Sequence, residues 1–311
     1  MTYKTIFCGT PDFAVKSLRA LISSSNFELQ AVITQPDKKV GRTQEIKESA
    51  VKIEAKKDNI TILQPEKIYL LEDKIKNLNP DIIVVVAYGQ IIPKSILDIP
   101  KYGCVNLHAS LLPKYRGATP IQSTILNGDE ETGLTIIKID EKLDSGDIIA
   151  QTKIKIANSD NSETLFNKLA AQSGEFLINS LQKYIKGKLK PIPQDNNQVT
   201  FCKKIEREDG KISFKDETST GIHQKLKAFT PWPGIFTKFN NKRLKILDFI
   251  TIKENFSKIK GQTKLNNTNQ IAIQCKEGTV ILKKVQVEGK KPIDIEEFIK
   301  GYPEISNYTF E

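Results

Sequence analysis

The chain has 311 residues, of which 39% are hydrophobic and 27% charged, and it carries a formal net charge of +10. This length predicts two domains, because single cores stop growing at about 250–300 residues. The sequence has no run near the ~20 apolar residues of a membrane span and no signal peptide, so we expect a cytoplasmic protein. The four cysteines lie far apart without a Cys-x-x-Cys spacing, which argues against a disulfide framework and against a metal site.

The first predicted elements are a strand, a turn and a helix. Tyr3–Cys8 is the strand, and Gly9–Asp12 turns the chain into a helix with apolar residues at helical spacing from Phe13 to Ile22. A second strand is predicted over Leu29–Thr34. This beginning is typical of a nucleotide-binding fold, but residues 9–14 lack the second and third glycines of a dinucleotide fingerprint, which argues against a dehydrogenase.

Residues 35–43 form a polar loop that carries three positive charges, Lys38, Lys39 and Arg42. Its composition is as typical of an ordinary solvated loop as of a loop that binds an anionic partner. Helices are predicted after it at Ser49–Lys57 and Leu70–Leu78.

Two buried strands form the centre of the predicted sheet. Asp81–Ala87 is an unbroken run of mostly β-branched residues, typical of a parallel strand covered on both faces, and a loop from Tyr88 to Pro93 leaves it. Gly103–Ala109 alternates with the two-residue period of a strand, so Asn106 and His108 lie on one face. Because open α/β sheets carry their chemistry at the carboxyl ends of strands, we expect an active site there.

A helix opened by Pro120 and closed by Gly128 precedes two further strands, Thr132–Ile139 and Ile148–Ile156. The loop between these strands, residues 140–147, holds four carboxylates. Four acids in a turn are usually a solvated face, but a loop carboxylate can also join an amide and an imidazole in acid–base chemistry. The loop is therefore a candidate source of an acidic group for the site.

A long helix, capped by Ser162 and ended by Gly187, closes the first predicted domain. Residues 188–197 are rich in proline and amides and poor in apolar groups, which indicates a linker. The predicted parts of the chain are a domain over residues 1–189, a linker over 190–207 and a domain over 208–311.

The last part of the chain alternates short strands with polar turns, which predicts a small β-barrel. Residues 201–311 carry 21 Lys and Arg against 14 Asp and Glu (+7), whereas residues 1–200 carry 26 against 23 (+3). Such a basic lobe attracts polyanions, nucleic acid first among them, although a well-solvated lysine-rich surface is the ordinary alternative. His223 begins a predicted helix before the strands and is expected to face solvent. The strands are predicted at Gly234–Phe239, Arg243–Ile250, Gln270–Cys275 and Thr279–Val287.

Asn106, His108 and one carboxylate of the 140–147 loop make a coherent set for acyl transfer. An amide and an imidazolium can hold the oxygen that becomes negative as a carbonyl goes tetrahedral, and one such donor is worth roughly 3–4 kcal/mol. A nearby carboxylate can take a proton from an attacking amine, directly or through water. A covalent scheme through Cys104 or Ser110 would need the same His108 to point elsewhere. A structural histidine beside solvated acids is the alternative to both.

Two segments, Asn106–Gly117 and Asp144–Asp147, together resemble the core of the folate-dependent formyltransferases. The whole chain resembles the members of that family that act on methionyl-tRNA, through Phe7–Ala14, Phe229–Gly234 and Leu282–Pro292. This resemblance implies an α/β fold with a Rossmann-like, mostly parallel sheet and helices on both faces, which binds 10-formyltetrahydrofolate. It also implies a C-terminal OB-type β-barrel that helps to hold tRNA.

The resemblance further implies roles for individual residues. Asn106 and His108 would polarise the formyl oxygen, and Asp144 would hold His108 and relay the proton from the methionyl α-amino group. The residues implied for folate are Val86, Ala87, Tyr88, Gly89, Gln90, Ser110, Leu111, Leu112, Pro113 and Asp140, and those implied for tRNA are Lys38, Lys39 and Arg42.

The sequence after Arg42 departs from the family, which commonly has more lysines and a proline there. Glu45 and Glu48 stand in this segment instead, and their charges weaken the attraction to phosphate.

Two other functions remain open on the residues. One is formyl transfer to a small amine, such as an amino sugar nucleotide or glycinamide ribonucleotide, and the basic C-terminal lobe argues against it. The other is a tRNA-binding protein without catalysis, and the intact set of Asn106, His108 and Asp144 argues against that. We expect a monomer, because no large apolar surface stripe is visible in the sequence.

Overall fold

The computed structural model describes residues 2–40 and 44–310, so Arg42, which is predicted to bind tRNA, lies outside the described residues. The chain divides into two compact units. The first unit is made of residues 1–120, 130–157 and 164–203, and the second of 121–129, 158–163 and 204–311. Within the described residues, no helix has the length and hydropathy needed to cross a membrane.

The strands and helices are numbered in chain order. The strands are β1 (Tyr3–Gly9), β2 (Phe27–Ile33), β3 (Lys38–Val40), β4 (Glu45–Lys47), β5 (Ile62–Leu63), β6 (Ile82–Val86), β7 (Cys104–His108), β8 (Arg116–Gly117), β9 (Glu131–Lys138), β10 (Ile148–Lys155), β11 (Phe201–Cys202), β12 (Ile235–Phe239), β13 (Lys242–Ile252), β14 (Thr263–Leu265), β15 (Ile271–Gln274), β16 (Thr279–Val287) and β17 (Ile293–Asp294). The α-helices are α1 (Asp12–Ile22), α2 (Ala50–Lys57), α3 (Glu72–Leu78), α4 (Lys94–Leu97), α5 (Pro120–Leu126), α6 (Ser162–Ile185), α7 (Ser219–Phe229) and α8 (Ile295–Gly301).

The first unit is built on a seven-stranded sheet in the order β10-β9-β7-β6-β1-β2-β5. The strands from β7 to β5 in this order run parallel, and β9 and β10 add an antiparallel edge. In β7, Asn106 lies beside Val85 of the parallel neighbour and Ile137 of the antiparallel one. The predicted mostly parallel sheet is therefore confirmed, and β7 is one of its inner strands.

Helices cover both faces of this sheet. Ile6 of β1 and Ile83 of β6 lie in a buried cluster with Ile75 of α3 and Ile96 of α4. On the other face, α1 packs on β2 and β6, and α6 packs on α1, where the Phe13 and Phe166 rings lie 5.4 Å apart. Every residue of β6 is buried, as predicted for a strand enclosed on both sides.

Three local predictions need correction. The segment predicted as a loop at 35–43 contains β3, which pairs antiparallel with β4 although neither strand has an apolar alternation. Ser162 does not cap α6 from outside: it is the first helical residue, and its hydroxyl donates to the Ala228 carbonyl at 2.5 Å. His223 is half-buried rather than solvent-facing, because its ring packs edge-on against Phe249, and this burial lowers the pKa of His223.

The second unit is built on an antiparallel sheet in the order β12-β13-β16-β15-β14, with β17 paired to β16. The Phe239 ring packs against the Phe298 ring of α8 at 5.6 Å, and both rings are buried. The fold class predicted from the sequence is thus confirmed: a Rossmann-like, mostly parallel sheet with helices, followed by an antiparallel β-domain.

Candidate active site

One strand and one loop of the first unit bring Asn106, His108 and Asp144 together. Asn106 and His108 lie at the carboxyl end of β7, and Asp144 lies in the loop between β9 and β10. The Asn106 Nδ2 atom is 3.4 Å from Asp144 Oδ1, and His108 Nδ1 is 3.8 Å from Asp144 Oδ2. An amide, an imidazole and a carboxylate therefore lie within 4 Å of one another.

The backbone holds the Asp144 carboxylate at a fixed place. The Gly117 N–H donates to Asp144 Oδ2 at 2.9 Å, and Asp144 itself has a φ of +47°. A side chain in this left-handed region costs about 1 kcal/mol or more, so the surrounding contacts must enforce it. Gly146 is required two residues later, because a Cβ there would lie 1.7 Å from the Lys138 carbonyl oxygen.

The hydrogen bonds of His108 fix which of its nitrogens can act. Nε2 lies 2.9 Å from the Tyr115 carbonyl oxygen. A carbonyl only accepts, so Nε2 carries a hydrogen and Nδ1 is left facing Asp144. His108 is only 6% exposed, so the surrounding side chains keep the ring in this orientation. A proton gained by the ring therefore sits on Nδ1, between the reacting space and the carboxylate.

The segment from Ser110 to Pro113, implied for folate, is fixed by buried hydrogen bonds. Thr135 Oγ1 donates to the Ser110 carbonyl at 2.6 Å and accepts from the Leu112 N–H at 3.2 Å, and Gln151 Nε2 donates to the Leu112 carbonyl at 2.6 Å. Ser110 and Leu112 are buried, whereas Leu111 and Pro113 are half-buried. A ligand at this segment would therefore meet Leu111 and Pro113 rather than the Ser110 hydroxyl.

The Val86–Gln90 loop follows β6 at the carboxyl edge of the sheet. Ala87 and Gly89 are exposed and have φ values of +48° and +83°, whereas the Tyr88 ring turns into the core and is 1% exposed. The Tyr88 carbonyl accepts from Gln35 Nε2 at 2.9 Å. Burial raises the pKa of the Tyr88 hydroxyl, so this residue offers the loop neither a free ring nor an ionisable group.

Asp140 and the basic loop residues stand apart from the set around Asp144. The Asp140 carboxylate accepts from Ser145 Oγ at 2.7 and 2.8 Å, so it braces its own loop. Lys38 donates to Gln35 Oε1 at 2.7 Å, and Lys39 is exposed.

Gln194 and Arg116 are neighbours of the site that the sequence did not single out. Gln194 falls within the predicted linker, yet it is 8% exposed and donates to the Asp144 and Gly146 carbonyls. Nothing in the local sequence marks it, because an amide between prolines and asparagines reads as a linker residue.

The four cysteines are free and buried. Burial raises the pKa of Cys104 to about 12, so its thiol stays protonated and is a poor nucleophile at neutral pH. Within the described residues, no cluster of three or more His, Cys, Asp or Glu side chains is placed to hold a metal ion.

A parallel sheet with this constellation at the carboxyl end of an inner strand defines a group-transfer enzyme of the α/β class. Residues 3–181 match the formyl transferase family, and residues 204–303 match the formyl transferase C-terminal domain. The chain belongs to the formyl transferase family.

Two relatives match nearly the whole chain. A methionyl-tRNA formyltransferase of Sulfurihydrogenibium sp. is 43% identical over 99% of this chain and 100% of its own length. A methionyl-tRNA formyltransferase of Caldicellulosiruptor saccharolyticus is 41% identical over 96% of each chain.

Solved structures share the fold. WlaRD, a sugar 3N-formyl transferase crystallised with dTDP and 5-N-formyl-THF, has a TM-score of 0.67 and 25% identity, and the match covers 94% of this chain and 100% of that one. The methionyl-tRNA formyltransferase from Clostridium thermocellum has a TM-score of 0.56 and 21% identity over 82% of this chain and 95% of its own, a likeness of fold alone.

Proposed function

We propose that the chain transfers the formyl group of 10-formyltetrahydrofolate to the α-amino group of methionyl-tRNA, giving N-formylmethionyl-tRNA for translation initiation. The observation that carries the proposal is the meeting of Asn106, His108 and Asp144 in a chain 43% identical to a methionyl-tRNA formyltransferase over 99% of its length. The relative supports the substrate, and the three side chains support the reaction type.

The proposed reaction needs no covalent enzyme intermediate. The α-amine attacks the formyl carbon, and the carbonyl electrons move onto the oxygen, where Asn106 Nδ2–H and a protonated His108 Nδ1 stabilise the charge. Asp144 takes the proton that the amine loses, directly or through water. The intermediate then collapses, the bond from carbon to N10 breaks, and N10 leaves with a proton as tetrahydrofolate forms. Each donor or acceptor lies on the first unit.

The donor is proposed to occupy the carboxyl edge of the sheet. The rigid segment from Ser110 to Pro113, the Val86–Gln90 loop and Asp140 are the parts proposed to hold folate, with apolar side chains against the flat ring and backbone groups at its edge. The presence of 5-N-formyl-THF in the WlaRD crystal supports a folate donor for this family.

The acceptor tRNA is proposed to bind the second unit and the loop with Lys38, Lys39 and Arg42. Lys238 pairs with Arg243 across β12 and β13, and Phe236 pairs with Lys245, so these basic side chains share one face of the sheet. Such a face matches the spaced charges of a phosphate backbone.

The proposed formyltransferase domain covers residues 1–189, the proposed linker 190–207 and the proposed tRNA-binding domain 208–311. The proposed state is a monomer.

A second candidate acceptor is an amino sugar nucleotide, because WlaRD is a sugar formyltransferase 25% identical to this chain. The test incubates the protein and 10-formyltetrahydrofolate with charged initiator tRNA, a dTDP-linked 3-amino sugar or glycinamide ribonucleotide, and measures formylated product by mass spectrometry. We expect product on the tRNA alone. Product on a small amine alone would reject the proposal, and tRNA binding without any product would indicate a protein that has lost catalysis.

A further inference from the structure

The side chain of Gln194 bridges the loop that presents Asp144. Its Nε2 atom donates to the Asp144 carbonyl at 2.8 Å and to the Gly146 carbonyl at 2.8 Å, so one amide ties both ends of the turn. The side chain is nine-tenths buried, and its residue comes from a segment 50 positions further along the chain. The amide therefore anchors this turn to a distant part of the first unit.

Arg116 fixes the orientation of this amide. Its Nε and one terminal nitrogen donate to Gln194 Oε1 at 3.1 and 2.8 Å. A guanidinium only donates, so the atom that faces it must be the oxygen, and the Gln194 NH2 group must then face the two carbonyls. Arg116 is 7% exposed, and within the described part of the chain its guanidinium has no carboxylate partner.

The two residues also connect to the other support of Asp144. Arg116 and Gly117 form β8, and the Gly117 N–H is the donor that holds Asp144 Oδ2 at 2.9 Å. The Asp144 backbone is thus fixed by Gln194 and its carboxylate by Gly117, while Arg116 stands between the two. Because Asp144 has a φ of +47°, its backbone relaxes if these contacts are lost.

We infer that Gln194, oriented by Arg116, is a positioning residue for formyl transfer: it holds the 144–146 turn so that the Asp144 carboxylate stays against His108 Nδ1. This inference rests on the proposed function and adds a residue from the predicted linker to it. Gln194 itself acts through Asp144 and does not touch the reacting atoms.

The discriminating variant is Gln194→Glu. A carboxylate at this position keeps a strong partner for the buried Arg116, so the fold is retained. Its second oxygen cannot donate to the Asp144 and Gly146 carbonyls, so the 144–146 turn loses both hydrogen bonds. We expect kcat for the formylation of methionyl-tRNA to fall about 10- to 100-fold, with KM for donor and tRNA within about twofold of the original values. Arg116→Lys, which keeps the charge but lacks the fork, is the second variant and should give a smaller fall in kcat.

Gln198→Glu is the matched control, because it makes the same chemical change on an exposed residue whose amide donates to the Asp195 carboxylate. This variant should leave kcat and KM unchanged. A readout without substrate completes the test: hydrogen exchange of the Gly117 amide, measured by NMR, should become at least about 10-fold faster in Gln194→Glu, since that amide is protected by Asp144.

The outcomes separate the inference from the proposed function. A lower kcat with faster Gly117 exchange supports the inference. A raised KM with unchanged kcat, or a lowered melting temperature with unchanged Gly117 exchange, would assign Gln194 a purely structural part and overturn it. Absence of formylation by the unmodified protein would overturn the proposed function, and the Gly117 exchange would then decide by itself whether Gln194 positions Asp144.

Discussion

At the residue scale, the hydrogen bonds of His108 decide which of its two ring nitrogens faces Asp144, and the residue type alone does not. Because Nε2–H is bound to the Tyr115 carbonyl at 2.9 Å, only Nδ1 is free to serve the site. Asn106 Nδ2 and His108 Nδ1 both face Asp144, at 3.4 and 3.8 Å. Both distances are long for hydrogen bonds, so the three side chains lie near one another without being tightly bonded to one another.

The first prediction concerns Asn106. Replacing it with Ala removes one donor to the developing oxyanion, so kcat should fall about 10²- to 10³-fold. The dissociation constant for tRNA should stay within about twofold, because the proposed role of the side chain is in the transition state rather than in RNA binding. Single-turnover kinetics and filter binding measure the two quantities. Loss of tRNA affinity in this variant would contradict the role assigned to Asn106.

The second prediction compares two glycines. In Gly146→Ala the new Cβ would lie 1.7 Å from the Lys138 carbonyl oxygen, so the loop must move, and we expect a loss of about 1–3 kcal/mol in unfolding free energy and most of the activity. Gly187→Ala is the control: Gly187 has a φ of +70° with nothing within 4 Å of a Cβ. It should lose only about 1–2 kcal/mol and keep its kcat. Urea denaturation and the formylation assay measure both. Equal kcat in the two variants would argue against a need for Gly146 at the site.

At the scale of elements, a small ionic cluster ties α1 to α2. The Glu54 carboxylate, 8% exposed, pairs with Arg19 and, at 2.8 Å, with Lys57. The Arg19 guanidinium lowers the pKa of Glu54 to about 2 from an ordinary 4.5. Arg19 and Lys57 are about half exposed, so solvent weakens the interaction, and we expect a contribution of about 1–2 kcal/mol rather than the full value of the pKa shift.

The third prediction follows from the sign of this shift. A carboxyl whose pKa is lower in the folded state stabilises the fold above pH 4.5, and this stabilisation disappears as the pH falls toward 2. Glu54→Gln should therefore be less stable than the original by about 1–2 kcal/mol at pH 7, with the difference closing below pH 4.5. Denaturation curves across pH measure it. Glu28→Gln, on an exposed residue, should show no such dependence, and a constant difference for Glu54→Gln would rule out the ionic origin.

At the scale of the whole molecule, the two parts of the chain differ in charge. The last 111 residues hold +7 of the total +10. On the second unit, Lys238, Arg243 and Lys245 share a face of the antiparallel sheet. The first unit carries the proposed catalytic residues Asn106, His108 and Asp144 at the carboxyl edge of a parallel sheet. The charge and the chemistry thus lie on separately folded parts of the chain.

The fourth prediction tests this division. The double variant Lys238→Glu/Lys245→Glu should weaken tRNA binding at least about 10-fold and reduce the slope of log affinity against log salt by about 1–2, because fewer counterions are released. The control, Lys16→Glu/Lys74→Glu, makes the same charge change on exposed lysines of the first unit. Binding titrations at several salt concentrations measure both. Equal losses in the two doubles would indicate a response to net charge alone.

The sequence by itself determined the elements whose pattern is local. The β-branched run of β6, the alternation that puts Asn106 and His108 on one face, and the acidic turn after β9 could all be read directly, and their resemblance to a known family gave the reaction. These features can be recognised in the sequence because each depends on residues within a few positions of one another.

Only the tertiary structure decided which residues support that site. Gln194 lies 50 positions from Asp144 and 78 from Arg116. The Tyr115 carbonyl binds Nε2 of His108 and leaves Nδ1 facing Asp144, through a turn that no periodicity marks. The pairing of β3 with β4 is local, and the sequence does not indicate it because neither strand has an apolar alternation. Hydrogen bonds between residues far apart in the sequence depend on which segments the fold brings into contact. The local pattern of each segment does not indicate which other segment it will contact.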